Sequence, residues 1–151
     1  MKTIRFRRIA TAGGKLPALP AHATAGPAGA DLRANLDAPL TVLPHQRVIV
    51  PTGLAIELPS AELGAFLFAR SGLATKRGLA LSNGVGVIDS DYRGEVMVSL
   101  HNHSDKEQEI ADGERIAQLV IAPFLAAEFC ETEELSDTAR GEGGFGSTGN
   151  K

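Results

Sequence analysis

The sequence predicts an all-β fold of the sandwich, barrel or jelly-roll kind. Apolar and polar residues alternate over stretches of four to eight residues, each bounded by Gly, Pro, Asn or Asp. There are 17 glycines and 8 prolines among 151 residues, above the usual combined share of about 12%, as many turns between short strands require. No helical period lasts long enough to build a helical domain.

The elements follow in order. Ile4, Phe6 and Arg8 alternate with Thr3, Arg5 and Arg7, an edge strand whose arginines discourage further pairing. Val48 and Val50, then Leu54, Ile56 and Leu58, lie on either side of Pro51-Thr52-Gly53. Residues 60–63 suit one helical turn after Pro59. Residues 65–69 form a continuous apolar run. Residues 71–77 suit a second helical turn, ended by Gly78 as a C-cap. Asn83-Gly84 signals a hairpin turn, with a short apolar strand over 85–88. Val96, Val98 and Leu100 alternate with Met97 and Ser99, and residues 116–121 are apolar apart from Gln118. Residues 128–137 are acidic without a core pattern. Five glycines then fall between Arg140 and Gly149, so ordering this stretch costs much backbone entropy. The expected division is one β domain over 1–138 and a flexible Gly-rich C-terminal flap over 139–151.

Composition narrows the function. The net charge of −3 argues against direct nucleic-acid binding by phosphate neutralisation alone. No apolar run approaches the ~18 residues of a membrane span. The basic residues Lys2, Arg5, Arg7 and Arg8 are followed by no apolar signal region, and a cytoplasmic location is expected. The single cysteine, Cys130, excludes an internal disulfide and a Cys-rich zinc site and is expected to be a small buried filler.

Several short motifs carry polar chemistry. Arg70-Ser71-Gly72 follows an apolar strand and opens a short helix, an arrangement suited to an anion; the plainer reading is an arginine pairing with a surface carboxylate and a Ser acting as N-cap. Asn83 offers an amide that pairs with an amide-like base edge. Asp89 directly follows the strand ending at Ile88, and Tyr92, the only tyrosine, offers a flat ring beside a sugar. The plainer reading is a hairpin with Asp-rich turns. Asp31, among small and apolar residues, suits a turn or a partly buried salt bridge. Gln118, inside an apolar strand, is either a core hydrogen-bond node or faces a site. His101 and His103 share one strand face, without a metal-ligand grouping. Gly141, Gly143 and Gly146 match a dinucleotide-binding spacing, but no helix follows. What remains is a run of backbone N–H groups with Arg140, Ser147 and Thr148, able to wrap phosphate oxygens.

In order and spacing, these pieces resemble the five motifs of the trimeric dUTPases. The matching stretches are Ala28-Gly29-Ala30-Asp31-Leu32-Arg33-Ala34, Ala69-Arg70-Ser71-Gly72-Leu73-Ala74, the segment from Asn83 to Gly94, Gly113-Glu114-Arg115-Ile116-Ala117-Gln118-Leu119, and Arg140 to Gly149. Ala69 departs from the Pro of many members. The resemblance implies a β-jelly-roll (β-clip) subunit and a homotrimer with active sites shared between subunits. It also implies Mg²⁺-dependent hydrolysis of dUTP to dUMP and pyrophosphate. Asp89 is implied as the general base. Asn83 and the backbone around Val87, Ile88 and Met97 would read uracil, and Tyr92 would pack on the deoxyribose. Arg70, Ser71, Gly72 and Gln118 would hold phosphates or the attacking water, with Asp31 near Mg²⁺, perhaps through water. Arg140, Phe145, Gly146, Ser147 and Thr148 would close from another subunit. Two rivals are a same-fold dCTP deaminase, expected to lack the Asp89-Ser90-Asp91-Tyr92 turn, and a nucleotide-sensing module, disfavoured by Asp89.

Overall fold

The computed structural model describes residues 3–144. The strands are β1 (Arg5–Arg8), β2 (Ala30–Arg33), β3 (Leu40–Val42), β4 (Arg47–Glu57), β5 (Leu63–Phe68), β6 (Leu79–Leu81), β7 (Gly86–Ile88), β8 (Glu95–Asn102), β9 (Gln108–Ile110) and β10 (Arg115–Pro123), with the helix α1 (Ser71–Arg77) between β5 and β6. They form two four-stranded sheets, ordered β1-β4-β8-β6 and β2-β10-β5-β7, and a ribbon β3-β9. All pairings are antiparallel.

The alternation in β8 explains the layering. Val96, Val98, Leu100 and Asn102 are buried, while Glu95, Met97, Ser99 and His101 point the other way. The inward residues of both sheets, including Val50, Ile56, Val98 and Leu100 on one and Leu32, Ala65, Leu67 and Ile116 on the other, make one apolar cluster. Edge position suits β1: it pairs only with β4, and Arg5 meets Glu57 across the pair at 3.0 Å.

Pro51-Thr52-Gly53 does not interrupt the chain into two strands. β4 runs through it, and the register with β8 shifts between Pro51 and Ala55, a bulge. Gly53 has φ 68°. A Cβ there would meet the Asn35 amide, and Ile9 O at 2.8 Å, so both conformation and space select glycine. Thr52 is fully buried and its hydroxyl donates to Val96 O at 2.6 Å.

α1 ends where expected, with Gly78 left-handed and its N–H donating to Ala74 O. Its N-cap is Arg70, without a side-chain cap bond, so Ser71 is not the cap. Arg77 anchors the helix: its guanidinium donates to Gln108 Oε1 at 3.0 Å, to Glu114 and to Glu109 O. Residues 60–63 form a non-helical turn, in which the Leu63 N–H donates to Ser60 O. Asn83-Gly84 makes a tight turn but no hairpin, because β6 and β7 belong to different sheets. Cys130 is exposed rather than buried, because residues 124–144 add no strand to either sheet.

Asn102 is fully buried and ties three loops together. Its amide donates to Val42 O (3.1 Å), Leu43 O (3.2 Å) and Lys106 O (2.8 Å), and its oxygen accepts from the Ser104 N–H and hydroxyl. Truncation leaves buried carbonyls unsatisfied at about 1–3 kcal/mol each. Asn102→Ala is expected to lose roughly 2–4 kcal/mol in denaturant unfolding at fixed protein concentration. A loss under about 1 kcal/mol would show that water replaces the side chain.

Candidate active site

Among the described residues β7 is the last strand of its sheet, so only one of its edges is paired, with Val87 opposite Phe66. The unpaired edge leaves peptide N–H and C=O groups free to meet a ligand. A cleft of about 450 Å³ opens there, between β7 and the outward side of β8. It gathers Asn83, Val87, Ile88, Asp89, Tyr92 and Met97. Those are six residues that the sequence singled out, drawn from a turn, an edge strand and the opposite sheet. Ile49, Leu67, Leu81, Glu95 and Ser99 also line it, and none of them had been singled out as a site residue.

The cleft has an apolar wall and a polar rim. Val87 and Ile49 are each 64% exposed and Met97 is 49% exposed, which is unusual for side chains of this kind unless something flat covers them. Asp89 stands exposed immediately after β7, and its carbonyl accepts from the Tyr92 N–H at 3.2 Å. The Tyr92 hydroxyl donates to Glu95 O at 2.9 Å. A carboxylate open to water, a free peptide edge and a held aromatic ring can together seat a planar amide-bearing base and its sugar, with a base for proton transfer beside them.

A second group forms where β2, β10 and β5 run side by side. Asp31 is not in a turn: it lies on β2, opposite Gln118 of β10, which is opposite Phe68 of β5. The salt-bridge alternative for Asp31 is what the geometry contains. Arg70 Nε donates to Asp31 Oδ1 at 2.9 Å and Arg115 donates to Oδ2 at 3.1 Å. The Asp31 side chain is only 13% exposed and that of Arg70 22%. These bonds are partly desolvated and charge-assisted, so they orient the guanidinium groups. Ser71 and Gly72 begin α1 directly after Arg70. Gln118 is half-buried, its amide takes no hydrogen bond among the described residues, and a Cβ on Gly29 would approach its Cβ to 3.1 Å. Of the two alternatives for Gln118, the core hydrogen-bond node is not seen among the described residues. Arg115 lay inside a recognised motif without an assigned role; the salt bridge expected as one alternative for Asp31 had no named partner, because Arg115 is 84 residues away along the chain.

Within the chain the two groups stay apart. β5 and β7 pair antiparallel with Ala65 opposite Ile88, so Asp89 falls near the start of β5. Arg70 follows the end of β5. Their separation is on the order of 15–20 Å of extended chain. Arg140 lies outside both groups, its guanidinium donating to Gly143 O at 2.7 Å. Phe145, Gly146, Ser147 and Thr148 lie outside the described residues. His101 and His103 do meet, with ring centroids 4.2 Å apart.

The donor set for a metal is sparse. No three His, Cys, Asp or Glu side chains gather as a metal-binding group among the described residues. Both oxygens of Asp31 are taken by guanidinium groups, which argues against an ion held directly by that carboxylate. The arrangement fits an ion that keeps its waters and is carried on phosphate oxygens, as Mg²⁺ does.

Comparison with known proteins agrees with this geometry. The dUTPase family matches residues 17–149. A deoxyuridine 5'-triphosphate nucleotidohydrolase of Desulfitobacterium hafniense (strain DSM 10664 / DCB-2) is 55% identical over 149 residues, covering 99% of each chain. One from Albidiferax ferrireducens is 56% identical over 131 residues, covering 87% of this chain and 88% of its own. Among solved structures, a variant dUTPase of Staphylococcus bacteriophage 80alpha with dUpNHpp is similar in fold, with TM-score 0.82, 24% identity and 99% of each chain covered. By family match and by identity over nearly its full length, the chain belongs to the dUTPase family.

Proposed function

We propose that this chain hydrolyses dUTP to dUMP and pyrophosphate, supplying dUMP for thymidylate synthesis and keeping uracil out of DNA. The observation that carries the reading is the cleft that collects Asn83, Val87, Ile88, Asp89, Tyr92 and Met97 beside a free strand edge. Support also comes from relatives named for this reaction at 55% identity.

The roles follow from chemistry. Asn83 and the peptide groups around Val87, Ile88 and Met97 read the uracil edge, whose donors and acceptors match an amide. Tyr92 lies against the deoxyribose and leaves no room for a ribose 2′-hydroxyl. Asp89 accepts a proton from a water as that water's oxygen bonds to the α-phosphorus. The bond from that phosphorus to the bridging oxygen breaks, pyrophosphate leaves, and Asp89 returns its proton to solvent. Arg70, Ser71, Gly72 and Gln118 hold phosphate oxygens or orient the water. Bound on the triphosphate, Mg²⁺ would supply positive charge to its oxygens, and Asp31 would be the carboxylate near it, through water. Over 139–151, Arg140, Phe145, Gly146, Ser147 and Thr148 serve as a flap that excludes water.

Assembly follows from the separation of the two groups along β5. One subunit's base and sugar cleft is completed by a neighbour's arginine group, so the working enzyme is a homotrimer with shared sites. Two further features support this. An apolar groove of about 460 Å³ includes Ile4, Phe6, Leu63 and Ile121. Leu125 and Phe129 are each 94% exposed in the lone chain. Both are surfaces that a neighbour would cover. A cytoplasmic enzyme acting on free nucleotide, without nucleic acid or membrane, suits the net charge of −3.

Three outcomes are expected. Asp89→Asn should bind dUTP with little change and lose at least ~100-fold in kcat, since a general base contributes about 10²–10⁴. A variant keeping a tenth of the activity would remove Asp89 from that role. Light scattering should give a particle three times the chain mass of 15.8 kDa; an active monomer would end the shared-site account. Truncation after Thr138 should leave nucleotide affinity within a few-fold while kcat falls much further, because closure acts on the reacting geometry more than on binding. Full activity in the truncated protein would deny residues 139–151 a catalytic part.

A further inference from the structure

We propose that Gly94 and Glu95 are positioning residues that set the pose of the Tyr92 ring and through it the choice between deoxyribose and ribose, an inference resting on the sugar role given to Tyr92 above. Tyr92 is more than an exposed side chain at a turn. Its ring folds back over Gly94. A Cβ on Gly94 would collide with the Tyr92 hydroxyl and would come within 2.6 Å of Cζ and 3.0 Å of Cε2. Its hydroxyl donates to the backbone oxygen of Glu95 at 2.9 Å. The hydroxyl end of the ring is therefore held twice within residues 92–95, by missing volume at Gly94 and by a hydrogen bond at Glu95.

Glu95 is itself held from the neighbouring strand. Its side chain accepts the Gly53 N–H at 2.7 Å in a half-buried setting, and its main chain lies opposite Ala55 where the β4–β8 register shifts. The next residue, Val96, accepts from the buried Thr52 hydroxyl at 2.6 Å. The bulge thus fixes the start of β8 by two hydrogen bonds from consecutive residues, and the start of β8 fixes the ring. Glu95 also lines the cleft, so a shift there moves a wall of the site as well as the anchor for the phenol. The colliding atoms at Gly94 all belong to the Tyr92 side chain. A methyl group there should displace the ring and spare the backbone.

The chain offers a direct reporter, because it has one tyrosine and no tryptophan. The tyrosine bands of the near-ultraviolet circular dichroism spectrum therefore come from Tyr92 alone. Gly94→Ala and Glu95→Ala are made in the full chain beside Tyr92→Ala. Each is measured for its tyrosine band, its tyrosine fluorescence quenching by acrylamide, and its kcat/KM on dUTP and on UTP. Both positioning variants should lose most of the tyrosine dichroism and quench more readily. Both should narrow the dUTP-to-UTP ratio at least tenfold, toward the value of Tyr92→Ala. Glu95→Gln, which keeps an oxygen for the Gly53 amide, should restore the tyrosine band. A wild-type tyrosine band in both alanine variants overturns the proposal, as does a displaced ring with an unchanged substrate ratio. Should Gly94→Ala fail to fold, Glu95→Ala and its Gln rescue decide the matter. Should the wild-type protein leave dUTP intact, the function proposed above fails while the spectra still decide whether these residues position the ring.

Discussion

The arrangement depends on the bulge at Thr52-Gly53, where β4 changes register against β8 without ending. A strand this long spans the whole sheet, pairing with β1 over its second half and β8 over most of its length. A regular β4 would point the Thr52 hydroxyl and the Gly53 N–H elsewhere, and neither Val96 O nor Glu95 would have its present partner. Gly53 tolerates this because its φ is positive and because Asn35 and Ile9 press against the space a side chain would need. The outward-facing side of β8, with Met97 and Ser99, and the turn that carries Tyr92 are aimed from this point.

The second constraint is the length of β5. It is paired on both sides, with β10 and β7, and so is rigid. It holds Asp89 near one end and Arg70 beyond the other. The spacer is on the order of 15–20 Å, whereas the roles proposed for Asp89, at the α-phosphorus, and for Arg70, on the phosphates beside it, need the two groups close together. The proposed sharing of sites between subunits meets that need with no distortion of either sheet. The exposed apolar residues after β10 answer to the same logic, since a chain with Leu125 and Phe129 standing in water has more to gain from a neighbour than from its own sheets.

Much of this was legible in the sequence where one physical rule acts alone. The alternation in β8 gives its buried face, Gly78 ends α1 through its left-handed geometry, and the arginines of β1 mark an edge. The cleft residues stood out because the Asn-Gly turn, the Asp at a strand end and the lone tyrosine fall in the order and spacing of a dUTPase motif. What escaped depends on contacts distant in sequence. β2, β3, β6 and β9 are three or four residues long and have too few alternations to declare a period. Asn83-Gly84 has the chemistry of a hairpin turn, but whether the chain re-enters the same sheet or crosses to the other is decided by packing. Asp31, among small and apolar residues, suited a turn or a salt bridge equally, and the choice rests on arginines distant in sequence, while the nearby Gly29 leaves room for Gln118. Asn102 carries five hydrogen bonds across residues 42–106, and nothing local distinguishes it from an exposed asparagine.

Asp31 illustrates how aim and charge are traded in the phosphate-facing half. Two guanidinium groups without a carboxylate between them would attract a polyphosphate more strongly at long range, but they would repel each other by about 3 kcal/mol at an effective dielectric near 20 and a spacing of about 5–6 Å. They would then splay into solvent. Placing Asp31 between them gives up one unit of positive charge and fixes both groups, with Arg70 held through Nε to Asp31 and through Nη1 to Arg115 O. For a substrate that brings its own cation, bulk attraction is the smaller need. A fixed donor array acts when negative charge shifts along the phosphate chain during bond breaking, and it does so without reorganising at that moment. The buried carboxylate is then a structural part of the guanidinium pair proposed to meet phosphate. That explains why it is held in a β-strand at 13% exposure rather than on a loop, where a metal ligand that exchanges waters would be better served.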